Sequence, residues 1–213
     1  MAIGGTPENF RDLFPDELVP DILELVVETW KIFAKPQRTE HEVPITKDFC
    51  LLLQRQKNAT SLPFKIRWEL PLLDSTSVIN PGRADLIFDF INTSREEIYF
   101  LFECKRLCVP FPSGWQSQAG EYIGDDGMMC FIFGKYSSGL PAGGMIGYVM
   151  DGNVLRAISS VTKAVEDNRD ALCLAKHTGL QNNRLMPKND SVKETDHDLS
   201  TRNFMMHHIF LKV

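Results

Sequence analysis

The stretch FKIRWEL, residues 64–70, alternates apolar and polar side chains, the period-two pattern of a strand with one buried face. Before it the period is helical. Leu18, Ile22, Leu25, Val26 and Trp30 recur at helical spacing within residues 8–34, where Pro15 and Pro20 start or break turns. A second helix is expected from near Glu40 through Phe49, Leu52 and Leu53 to about Lys57, closed by NATSLP. After FKIRWEL, the segment LPLLDSTSVINPG reads as a connection and Ala84 to Phe90 as a second strand. Asn92 to Glu97 is a turn, and Ile98 to Leu107 a third strand. VPFPSGW is a loop; SQAGEYIGDDGMMCFIF is partly helical, weakened by Gly120, Gly124 and Gly127. The loop SSGLPAGG leads into a fourth strand, MIGYVM, and Val154 to Asp170 carries Leu155, Ile158, Val161 and Val165 on one helical face. Residues 176–202 are polar and read as loop, and FMMHHIFLKV closes the chain as a strand.

No internal repeat interrupts this order, which predicts an α/β fold with a mixed central sheet flanked by helices. Residues 1–39 are expected to form an N-terminal helical extension, and 40–213 a single globular unit.

One strand conflicts with its own burial. YFLFECKRL, residues 99–107, reads as a central strand, yet it carries Glu103 and Lys105. Side chains two apart share a face, so both project one way while Phe102 and Cys104 pack the other. If the second and third strands form a hairpin, Asp85 comes opposite the later half of its partner, where Glu103 and Lys105 lie. Buried charge is tolerated when it is paired or holds a metal. Two carboxylates repel unless a divalent cation lies between them, and hard oxygen ligands favour magnesium or manganese. Phosphodiester hydrolysis uses such a metal to stabilise developing charge and to activate water, with a lysine to orient that water. A structural ion pair on a sheet face is the alternative reading.

Gly82-Arg83-Ala84-Asp85 followed by Phe102-Glu103-Cys104-Lys105-Arg106-Leu107 resembles the PD-(D/E)XK nuclease superfamily, with Ala84 where the name has proline. Gln118-Ala119-Gly120-Glu121-Tyr122 is similar to that superfamily's Q-x-x-x-Y element, which supports the site and touches DNA. The resemblance covers about residues 40–150 and implies a restriction-endonuclease-like αβββαβ core. By it, Asp85 and Glu103 ligate the metal, Mg2+ with Mn2+ as a substitute, joined by the Cys104 carbonyl. Lys105 positions the nucleophilic water, and Glu42 or Glu40 on the first core helix completes the shell. Near a helix N-terminus either glutamate is equally explained by the helix dipole. Gln118 joins Asp85, Glu103 and Lys105 as a catalytic candidate, and Arg83, Arg106 and Tyr122 are candidates for nucleic-acid contact. The implied activity is nuclease action on DNA more than RNA, in defence, repair or mobile-element processing. A chain with one site would cut both strands only as a homodimer or with a partner subunit. A catalytically silent binding or assembly subunit of the same fold is the rival.

Charge and composition narrow this further. The 213 residues carry a formal net charge of -5, which argues against a protein that coats nucleic acid indiscriminately but is compatible with a local basic groove. The acids crowd the first thirty residues, whereas Lys65, Arg67, Arg83, Lys105, Arg106 and Lys135 lie mid-chain. No apolar run approaches the roughly 20 residues of a membrane span, and no signal peptide opens the chain, so a cytoplasmic protein without membrane partners is expected. The five scattered cysteines lack a zinc spacing and read as reduced thiols. His207 and His208 alternate across the last strand and read as packing or surface residues. GLPAGG lacks the lysine of a phosphate-cradling loop and reads as a mobile loop beside the cleft. Glu69 faces solvent or the cleft; Trp115 packs, or stacks on a base.

Overall fold

The computed structural model describes residues 13–71, 83–91, 97–200 and 202–213; the side chains of 69–71 lie outside the description. The expected connection and turn therefore fall largely outside the described residues, as does the Glu69 side chain. A 3₁₀ turn, Asp16–Leu18, leads into α1, Val19–Ile32, with Pro20 in the first turn, where proline leaves no hydrogen bond unmade. α2, Glu42–Thr60, ends at Ser61, whose φ of 56° turns the chain out of the helix. Then come β1 (Phe64–Pro71), β2 (Arg83–Phe90), β3 (Tyr99–Leu107) and a two-stranded ribbon, β4 (Val109–Phe111) with β5 (Gly114–Gln116). Two short helices follow, α3 (Ala119–Ile123) and α4 (Met129–Ile132), then β6 (Ala142–Val149) and α5 (Val154–Asp167). The Asn153 side chain caps α5 by accepting the Arg156 amide at 3.1 Å. β7 (Gln181–Asn182), β8 (Val192–Leu199) and β9 (Arg202–Lys212) complete the order.

Seven strands form one mixed sheet, ordered β1-β2-β3-β6-β9-β8-β7. β1, β2 and β3 are antiparallel, β3, β6 and β9 are parallel, and β8 returns antiparallel to β9. β6 is buried along its whole length, as a central parallel strand covered on both faces must be. Gly144 is essential there: a Cβ at this position would lie 2.4 Å from two carbons of the Phe102 ring.

Helices cover both faces. α1 and α2 pack where Cys104, Ile146 and Tyr148 point: Trp30 stacks on Tyr148 at 5.4 Å between centroids, and Thr46 shares a 3.1 Å hydrogen bond with the Tyr148 hydroxyl. α1 thus contributes Ile22, Leu23, Val26 and Trp30 to the same core as the sheet. α3 covers the opposite face, with Tyr122 stacked against Phe210, and α5 packs on α3 and β9. Among the described residues no helix is long and apolar enough to cross a membrane.

Three expectations change. VPFPSGW is not a plain loop, since β4 and the start of β5 lie within it. Residues 176–202 are not a loop, since β7 and β8 lie within them. β8, VKETDHDL, hides its burial because its inward positions are polar; Glu194, Thr195 and His197 are all buried and all hydrogen-bonded. The segment around GLPAGG is pinned rather than mobile: Ser137 and Leu140 are fully buried, Arg202 donates to both their carbonyls, and Gly143 and Gly144 belong to β6.

Candidate functional site

The β2–β3 register pairs Ile87 with Leu101 and Leu86 with Phe102, so one further step sets Asp85 across from Glu103. The Asp85 carboxylate turns onto the neighbouring strand, where its Oδ2 accepts the Cys104 amide at 2.7 Å. Glu103 is 5% exposed. Its Oε1 accepts the Lys105 ammonium at 2.7 Å, while Oε2 is buried without a hydrogen-bond partner among the described residues. Lys105 Nζ also lies 3.5 Å from Glu42 Oε1. Glu42, the first residue of α2, accepts the Arg106 amide through Oε2 at 3.1 Å. Of the two glutamates, Glu42 is the one whose side chain reaches Lys105. Glu40 precedes α2 and offers its backbone carbonyl to the Arg106 guanidinium at 3.0 Å.

Asp85, Glu103, Lys105 and Glu42 thus meet where β3 passes the N-terminus of α2. Burial pushes the Glu103 carboxyl well above its usual range, Asp85 adds to the push, and Lys105 opposes it. Burial likewise raises Glu42, to about 7, against the pull of Lys105. Burial by itself would lower the Lys105 ammonium, yet Glu103 and Glu42 together hold it above its ordinary value. The lysine therefore stays charged at neutral pH. Its ammonium fills the space between two carboxylates, and among the described residues no three His, Cys, Asp or Glu side chains form a ready metal cage.

The Cys104 thiol points away, fully buried near the Tyr148 hydroxyl at 3.6 Å, so on the acidic side Cys104 presents only backbone. A cleft of about 420 Å³ opens on the Glu42 and Lys105 side of the cluster, lined also by His41, Arg106, Gln118 and Phe111, while Asp85 and Glu103 do not line it. Gln118 reaches it because φ is 56° there, outside the helix proper; its amide donates to Gln116 at 3.2 Å. That kink also separates it from Tyr122. Tyr122 is no nucleic-acid contact, being fully buried with its hydroxyl 3.0 Å from His208 Nδ1. Arg83 is exposed at the start of β2, and Arg106 is half-buried in the cleft.

Sequence reasoning missed two features. Tyr136 lies near Glu103, whose charge, after burial, raises the phenol; its hydroxyl donates to the Arg83 carbonyl at 2.7 Å. No pattern around Tyr136 announces this. The second is a buried polar chain behind α3. Tyr122 meets His208 Nδ1, His208 Nε2 lies 2.9 Å from the Thr195 hydroxyl, and Thr195 lies 2.7 Å from His197 Nε2. His197 Nδ1 ends the chain on the Leu172 carbonyl at 2.7 Å. His207, on the other face, pairs with Asn183 at 2.8 Å. The alternation of the two histidines holds, and both are buried.

A larger cavity, about 600 Å³, lies beside β8 and β9, but Arg184 closes on Glu194 and on Asp196, the latter at 2.7 Å. No protein-family model, curated protein or solved structure matches the chain.

Proposed function

We propose that this chain is a divalent-cation-dependent nuclease with a restriction-endonuclease-like core, hydrolysing phosphodiesters in DNA more readily than in RNA. The observation that carries the reading is Glu103, a carboxyl buried beside Asp85 and Lys105, whose Oε2 has no well-formed hydrogen bond among the described residues although the Tyr136 hydroxyl lies alongside. A buried carboxylate oxygen without a well-formed hydrogen bond is costly, and an oxygen-seeking cation removes that cost. The oxygen donors that would hold Mg2+ or Mn2+ are Asp85 and Glu103, with the Cys104 backbone carbonyl and Glu42 alongside, once the Lys105 ammonium gives way between Glu103 and Glu42. When bound, such an ion supplies Lewis-acid stabilisation and lowers the pKa of water. Lys105, held protonated, acts as a fixed positive charge and hydrogen-bond donor toward water or phosphate, not as a base. Glu42, raised to about 7, is the carboxylate able to take up a proton near neutrality. Gln118 and Arg106 line the approach. With one site per chain, double-strand cutting requires a second copy or a partner subunit.

One observation favours a second reading, a silent nucleic-acid-binding or assembly subunit. Lys105 already forms ion pairs with both Glu103 and Glu42 without a metal. Plasmid and oligonucleotide cleavage with Mg2+, Mn2+ or EDTA separates the two. Metal-dependent cutting lost in Glu103→Ala and Lys105→Ala is the expected result. Binding without cutting under every metal selects the silent subunit and ends the nuclease reading.

A further inference from the structure

We propose that the β4–β5 ribbon is a two-sided base-stacking wedge, so that the cleft takes strands with unpaired bases, at forks, frayed ends or single-stranded segments, in preference to intact duplex. This rests on reading the cleft as a nucleic-acid site. The ribbon's root is fixed and its tip is bare. Val109 is buried, and the Cys108 amide donates to the Ser117 carbonyl at 3.0 Å, closing the base. At the tip, Gly114 adopts a φ of 110°, which makes the tight return possible. Phe111 and Trp115 remain 40% and 44% exposed. Because β4 follows β3 after the single residue Cys108, the ribbon is held at a fixed offset from Glu103 and Lys105.

The pairing explains why there are two sides. Phe111 is opposite Gly114 and Pro110 opposite Trp115, so the two rings leave opposite faces of the ribbon. Phe111 lines the cleft with Lys105, Arg106 and Gln118. Trp115 faces the other way, with the Arg38 guanidinium 6.0 Å from its ring centroid. Trp115 thus has a guanidinium beside its ring, and Phe111 shares its cleft with Arg106 and Lys105 as well as with Glu42, Glu121 and Asp126. Between and beside them, Pro112, Ser113, Gly114, Gln116 and Ser117 are exposed and small or polar. The rings therefore stand as separate plates and not as the continuous apolar patch a protein partner buries. A plate with a neighbouring guanidinium suits a base and its backbone. In a continuous duplex every base face is covered by its neighbours, so only unpaired bases offer a face to these rings.

The test is fluorescence anisotropy of labelled DNA in EDTA, which prevents cutting. It compares a single strand, a fork with unpaired arms and a blunt duplex of the same sequence. Wild type is expected to bind the first two about tenfold or more tighter than the blunt duplex, given the stacking energy of one or two bases. The double variant Phe111→Leu/Trp115→Leu, which keeps apolar bulk but removes both ring faces, is expected to lose that preference, its affinities for the three DNAs converging. Quenching of wild-type tryptophan emission by the single strand should accompany binding, because Trp30 is buried and Trp68 is packed against the core. Equal affinity for all three DNAs, an unaltered preference in the double variant, or no binding at all overturns the wedge. Metal-dependent cutting by a double variant that keeps its strand preference removes the wedge alone. An intact preference with no cutting under any metal removes the nuclease reading alone.

Discussion

Thr195→Val swaps a hydroxyl for a methyl of nearly the same shape, at the middle of the buried chain that backs α3. Only one set of tautomers satisfies every contact: Tyr122 donates to His208 Nδ1, His208 Nε2–H to Thr195, Thr195 to His197 Nε2, and His197 Nδ1–H to the Leu172 carbonyl. Valine breaks two of these bonds and strands an imidazole donor and an imidazole acceptor, on His208 and His197, which are 0% and 1% exposed. Each stranded group costs about 1–3 kcal/mol, so the variant should lose about 2–6 kcal/mol. For a chain of this size that lowers the Tm by roughly 5–20 °C. Thermal and urea unfolding followed by circular dichroism at pH 7.5 reads the change, and Thr195→Ser, which retains the hydroxyl, serves as the control. A valine variant within about 0.5 kcal/mol of wild type would refute the chain as a stabilising element.

The same histidines set an acid limit. Burial holds His197 and His207 at about 4, against an ordinary 6.5, and holds His208 well below that ordinary value. The unfolded chain therefore binds more protons, and stability present above pH 6.5 is lost as pH falls toward 4, by about 3 kcal/mol for each of the first two. Glu42 acts in the opposite sense between 4.5 and about 7, because its folded value is raised. Glu42→Gln should therefore steepen the acid loss seen in urea midpoints between pH 7 and 4.5, and an unchanged slope would contradict these assignments. Gly144→Ala drives a methyl into the Phe102 ring and should cost about 1–3 kcal/mol by thermal unfolding, whereas a neutral result would mean that the β3–β6 packing is looser than described.

β1 was legible because its burial follows a simple period: Phe64 and Ile66 are buried while Lys65 and Arg67 are exposed. Glu103 and Lys105 stood out because charge interrupts an otherwise apolar strand, and Asp85 fell beside them through a register that local pattern could supply. β8 was not legible. Its buried Glu194 is balanced by Arg184 and its Thr195 by His208, partners that only the folded sheet brings near. Gln118 and Tyr122 have helical spacing, yet a left-handed residue at the helix start sends one to the cleft and the other to the core. Which glutamate meets Lys105 depended on where α2 begins, a boundary that sequence pattern fixes poorly.

The central claim is that Asp85 and Glu103 jointly hold a hard divalent ion. Electron paramagnetic resonance of Mn2+ titrated into the protein without nucleic acid reads this directly, through loss of the free-ion signal. Wild type is expected to take up about one Mn2+ per chain, competed by Mg2+, with uptake lost in Asp85→Asn and Glu103→Gln although both remain folded. Uptake equal in all three proteins, or none in wild type at millimolar Mn2+, would contradict the account.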